Sequence, residues 1–175
     1  MTAGVVAVVL VVTAVNLLIT FAVLRRLREH DQRLTQLEGR GGSHLDVLIG
    51  REPAPFAVHG IDGARVGHDG AAASLIGFFS VGCSACHDQA GPFRQAVEEG
   101  RFAGHDVLVV VDGPPGGDPD LVGQLSGLGV VVEGEQAQTV AAAYGVIAFP
   151  AFLTTVGGKV ASAAPVIAML RRQLV

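Results

Sequence analysis

The two cysteines of this chain stand three residues apart, as Cys83-Ser84-Ala85-Cys86, just behind the apolar run Ser74 to Ser80 (Ser-Leu-Ile-Gly-Phe-Phe-Ser). Such a run predicts a buried central strand, and Ser84 to Glu99 then carries apolar residues at helical spacing. Gly91-Pro92 is expected to kink that helix. The pair therefore falls where a strand turns into a helix. There the free N–H groups of the first turn, together with the helix dipole, stabilise a thiolate. Cys83 is expected to be the exposed, attacking sulfur, with a pKa below the free value of ~8.5. Cys86, one turn on and more covered, is expected to be the resolving thiol. A purely structural disulfide is the plainer alternative, but it would close a very small loop.

Two other chemistries share this spelling. Cys83-x-x-Cys86-His87 is also the pattern of a covalent haem c attachment, with His87 as axial ligand and Met169 as a conceivable second one. Haem domains of that kind are helical, whereas here the motif follows a buried strand. A zinc site would need further ligands, and His30, His44, His59, His68 and His105 are scattered rather than clustered. No metal and no cofactor is expected.

The remainder of the chain alternates strands and helices. Phe56 to His59 and Ala64 to Gly67 flank Asp62-Gly63, a hairpin signal. Asp106 to Val111 reads as a buried strand, and Asp112 to Gly117 as a loop rich in Gly and Pro. Asp118 can cap a helix reaching about Gly127. Val130 to Glu133 is a further strand, followed by a helix from about Gln136 to Tyr144. Ala151 to Thr155 and Lys159 to Ser162 surround Gly157-Gly158 as a second hairpin, and Pro165 opens a last helix. The fold class is α/β, with a mixed central sheet flanked by helices.

Composition matters at the N-terminus. The mean hydropathy is +0.49 and 16% of the residues are charged, which excludes a disordered chain. The formal net charge of -4 leaves no electrostatic footprint for nucleic acid. Much of the hydropathy comes from residues 4–24, an uninterrupted run without a charge. As a helix at about 1.5 Å per residue this run is roughly 31 Å long, enough to cross a bilayer's hydrocarbon core. It is read as a transmembrane signal anchor, since no basic residue precedes it and no convincing cleavage site follows. Asn16 is its most polar residue. Arg25, Arg26 and Arg28 follow, with a thin stripe of Leu24, Leu27, Leu34 and Leu37, and then a flexible break at Gly39 to Ser43.

Two stretches carry a family resemblance. Tyr144-Gly145-Val146-Ile147-Ala148-Phe149-Pro150-Ala151-Phe152-Leu153, with Gly157-Gly158-Lys159-Val160 behind it, closely resembles the thioredoxin family's segment around its cis-proline. The resemblance implies that Pro150 is that proline and faces the cysteine pair. It also implies that Phe149 and Ala148 beside it bind a substrate cysteine segment as an added strand. Upstream, Gly50-Arg51-Glu52-Pro53-Ala54-Pro55-Phe56 with Asp62-Gly63 resembles the membrane-anchored TlpA/MauD-like thiol–disulfide oxidoreductases. The resemblance covers about residues 48–175. It divides the chain into an anchor (1–24), a juxtamembrane helix and linker (25–47) and a thioredoxin-like domain preceded by that one transmembrane helix (48–175).

The resemblance implies a membrane-anchored thiol–disulfide oxidoreductase that exchanges disulfides through Cys83 and Cys86. Its implied partners are cysteine-containing client proteins, a membrane-embedded redox partner and the lipid bilayer itself. Extracytoplasmic disulfide-containing proteins would be the clients matured. A non-catalytic adaptor that uses the fold to hold a partner is the alternative within the same architecture.

The chain departs from the family pattern in three places. Gly82 stands where a Trp usually precedes the first cysteine. Gly77 stands at the position of the buried acid. Pro92 is one place later than the usual helix proline. Without the acid, His87, a water or the substrate itself is left to relay the proton of Cys86. The arginines behind the anchor favour a cytoplasmic domain by the positive-inside bias, while the resemblance favours the extracytoplasmic side. The latter is adopted as the expectation.

Overall fold

The computed structural model describes residues 44–67 and 73–171, and the 4–24 run and the juxtamembrane segment lie outside them. Among the described residues no helix is long and apolar enough to cross a membrane. The elements in chain order are β1 (Ala57–His59), β2 (Arg65–Gly67), β3 (Ala73–Ser80), α1 (Ser84–Glu98), β4 (Asp106–Asp112), α2 (Pro119–Leu125), β5 (Val130–Glu133), α3 (Gly134–Tyr144), β6 (Ala151–Val156) and β7 (Lys159–Ala164).

β1 and β2 form a small antiparallel hairpin, and the other strands make one sheet in the order β5-β4-β3-β6-β7. β3 pairs parallel to β4 and antiparallel to β6, so the sheet is mixed. Its inner strands are apolar on both sides because both faces are covered. On one face α1 and α2 bury Leu75, Phe79, Cys86, Phe93, Val109, Leu121 and Phe152. On the other, α3 and the β1 segment bury Phe56, Ile76, Phe78, Val110, Val140 and Tyr144. Consecutive side chains of β3 supply the two faces in turn, as a pleated strand must.

Two expectations change. Leu45 and Leu48, at 1% and 3% exposure, belong to the core on the α3 side. The folded unit thus reaches back to residue 44, into what the sequence assigns to the linker. The 3-10 turn Asp46–Leu48 joins the two leucines, and its three-residue period puts both on the same side. At the other end, Pro165 opens no α-helix within the described residues. The chain makes only the 3-10 turn Ile167–Met169 and leaves it extended at Leu170. The Arg101 guanidinium takes the carbonyls of Ala168 and Leu170 (3.1 and 3.3 Å), and Gln89 takes the Ile167 N–H at 3.2 Å. The two carbonyls bound by Arg101 are groups that a continuing helix would use for its own bonds.

Candidate active site

Cys83 and Cys86 meet at the end of β3, as the strand order requires. β3 ends at Ser80, and Gly82 takes φ +71°, a left-handed conformation that costs glycine little. That turn sets Cys83 at the N-cap of α1, with the Cys86 N–H 3.2 Å from its sulfur. The two cysteines are joined as a disulfide with a Cα–Cα distance of 5.2 Å. Cys86 is fully buried, whereas Cys83 is half-buried. Cys86 Sγ also receives the Ser80 N–H at 3.4 Å. Each sulfur therefore has a backbone donor placed for negative charge, which suits whichever of them becomes a thiolate when the bond opens.

Phe149-Pro150 is a cis peptide bond. The loop it forms comes down on the pair, with the Phe149 carbonyl oxygen 4.0 Å from Cys83 Sγ. Ala148, Phe149 and Pro150 are all half-buried, and beside them Ile147 is 80% exposed. The structure thus brings Cys83, Cys86, Phe149 and Pro150 to one place, with Ala148 on the approach. Met169 is 69% exposed on the 3-10 turn.

Gly77 lies at the middle of β3 on the α1 side. A Cβ there would come within 2.8 Å of Phe79 and 3.0 Å of Phe93. Phe79, Phe93 and Phe152 form a trio with all three centroid distances at 5.6 Å. The space a buried carboxylate would need is filled with rings. α1 continues as one helix through Pro92, which lies on its exposed side. Pro92 has no N–H to give the Asp88 carbonyl, and Asp88 is an exposed residue within reach of water.

Charge enters the site from the rim instead. His87 Nε2 lies 2.8 Å from Asp118 Oδ2, with the two side chains 38% and 13% exposed. Asp118 also caps α2, accepting the Leu121 N–H at 3.1 Å through its other oxygen. Its carboxyl is held below the usual carboxylate range by that Leu121 N–H first, against a desolvation that raises it, and then by His87 and the Gly82 N–H. The sequence points to Asp118 only as a cap. Its second partner is 31 residues away in the chain, and no local signal announces it.

No protein-family model matches the chain, and no curated protein does. Solved structures do match. A thio-disulfide isomerase from Thermus thermophilus is 17% identical with a TM-score of 0.56, over 67% of this chain and 85% of that one. The thioredoxin domain of a thiol-disulfide oxidoreductase from Bacteroides vulgatus is 16% identical with a TM-score of 0.52, over 66% and 86%. A secreted disulfide oxidoreductase from Mycobacterium tuberculosis is 14% identical with a TM-score of 0.53, over 63% and 82%. At such identities the likeness is one of fold, and the fold is thioredoxin-like.

Proposed function

We propose that this chain is a membrane-tethered thiol–disulfide oxidoreductase whose redox centre is the Cys83–Cys86 pair. One observation carries the reading: a half-buried sulfur at a helix N-terminus is bonded to a fully buried one, opposite a cis-proline loop. Solved structures of the same fold, described as thiol–disulfide oxidoreductases, support it.

In the disulfide form, a client thiolate attacks Cys83 Sγ. The Cys83–Cys86 bond breaks, and Cys86 leaves as a thiolate that the Ser80 N–H receives and that then takes up a proton. A second client thiolate attacks the client sulfur of the mixed disulfide and releases Cys83. The client is then oxidised by two electrons and the pair reduced by two. In reverse, the Cys83 thiolate attacks a client disulfide, and Cys86 resolves the adduct. Phe149 and Pro150 line the place where the client strand would lie, with Ala148 next to them. His87 is the candidate proton relay. Residues 4–24 supply the tether, the domain lies on the extracytoplasmic side, and a membrane-embedded redox partner resets the pair. The clients are extracytoplasmic proteins whose disulfides must be made or remade.

A single variant tests both the exchange and the orientation. Cys86→Ser in the full chain leaves Cys83 as its only thiol. Adducts that vanish on reduction should accumulate on non-reducing gels, and a membrane-impermeant maleimide should label Cys83 in intact cells after mild reduction. No adducts under conditions where the wild type cycles would sink the exchange mechanism. Labelling only after lysis would put the domain on the cytoplasmic side.

A further inference from the structure

The loop that follows β4 is built against the turn that presents Cys83. The Val81 N–H donates to the Asp112 carbonyl at 2.9 Å. Two of the loop's three glycines close on the same residue, since a Cβ on Gly113 would lie 2.6 Å from Val81 Cγ2 and one on Gly117 3.3 Å from Val81 Cγ1. Asp118 comes at the end of this loop and reaches His87 in the first turn of α1. His87 is four residues after Cys83 on that helix, so the two share one face. The Gly82 N–H, in the peptide just before Cys83, also acts on the Asp118 carboxylate. Further along, Arg94 ties α1 to the end of α2 through the carbonyls of Gln124 and Ser126 (2.7 and 2.8 Å). A tie for packing alone therefore already exists, and it lies away from the sulfurs.

We infer that Asp118 is a positioning residue of the redox pair, which holds His87 over the Cys83 turn and, by its charge, keeps the pair more reducing than a neutral residue there would. The inference rests on the exchange reading above and deepens it. A carboxylate beside a cysteine disfavours its thiolate. A less stable thiolate means a less stable reduced form, and hence a lower reduction potential. His87 offsets part of that charge by binding the carboxylate. The aromatic trio beside Gly77 leaves no room for an acid on the buried side, so side-chain charge reaches the pair's turn from the rim, beside the backbone donors that each sulfur already has.

The test uses the full-length protein equilibrated with glutathione redox buffers. The variants are Asp118→Asn, which keeps an acceptor for the Leu121 N–H, His87→Gln, and the two together. Asp118→Asn should move the exchange constant about tenfold toward the reduced pair, about 30 mV for a two-electron couple. It should also speed alkylation of reduced Cys83 by iodoacetamide at neutral pH. His87→Gln should shift the constant about threefold the other way, and that shift should vanish in the double variant. With a wild type that equilibrates, Asp118→Asn within twofold of it overturns this inference alone. So does a His87→Gln shift that is the same with and without Asp118. A wild-type pair that does not equilibrate with glutathione overturns the exchange reading, and this inference with it.

Discussion

The two faces of the central sheet are equally apolar, yet they differ in what they do with aromatic rings. On the α3 side, Tyr144 packs against Phe56 and Phe78 at 5.8 and 6.0 Å, and burial pushes its phenol up to about 12. On the α1 side, Phe79, Phe93 and Phe152 close around Gly77 with no polar atom among their rings. One face thus keeps a titratable group within its packing, while the face beneath the cysteine pair keeps none within its trio. Among the described residues, the ionisable pair that meets at the turn, Asp118 with His87, lies at the rim. The difference shows that a redox site can stand on a dry floor if a neighbouring loop brings the charge.

The largest expected effect comes from forcing the α1 face to resemble a buried-acid site. Gly77→Asp would drive a side chain into Phe79 and Phe93 and bury a carboxylate among rings. It should cost about 4 kcal/mol or more in urea unfolding. A loss under about 1 kcal/mol would mean that packing is not what keeps an acid out.

The Tyr144 face should show itself in alkali. Its folded pKa stands above the unfolded value near 10, so its contribution is complete below pH 10 and fades as pH rises through 12. About 2 to 3 kcal/mol should be lost across that window in the wild type relative to Tyr144→Phe. Parallel stability curves for the two proteins from pH 9 to 12 would contradict the buried phenol.

The smallest effect concerns the turn that joins the α1 face to the cysteines. A Cβ on Gly82 meets nothing within 4 Å, so Gly82→Ala carries only the left-handed backbone cost. That cost is about 1 to 2 kcal/mol, measured as a shift in the denaturation midpoint. No shift at all would show that the turn relaxes freely.

Much of this arrangement can be read from the residues alone, because the signals that carry it are local. Ser74 to Ser80 is apolar at every position the core needs, Cys83 and Cys86 sit one helical turn apart, and Phe149-Pro150 precedes an apolar strand. Contacts between distant segments are less legible. Asp118 looks like a helix cap and is one, but its free oxygen finds His87 only because α2 lies against α1. Leu45 looks like part of a linker, since a short apolar run directly behind a Gly-rich break says nothing of the core it will meet. The segment behind Pro165 has helical composition, and Arg101, more than sixty residues earlier, takes the carbonyls that a helix would use.

β3 has a strand on each side, and the cysteines hang from its end. In a sheet, the amides of a strand bonded on both edges exchange with solvent only when large parts of the domain open together. The reactive sulfurs are thus mounted at the end of a slow-exchanging piece of the molecule. The disulfide is therefore anchored to a part of the chain that opens only when the domain does.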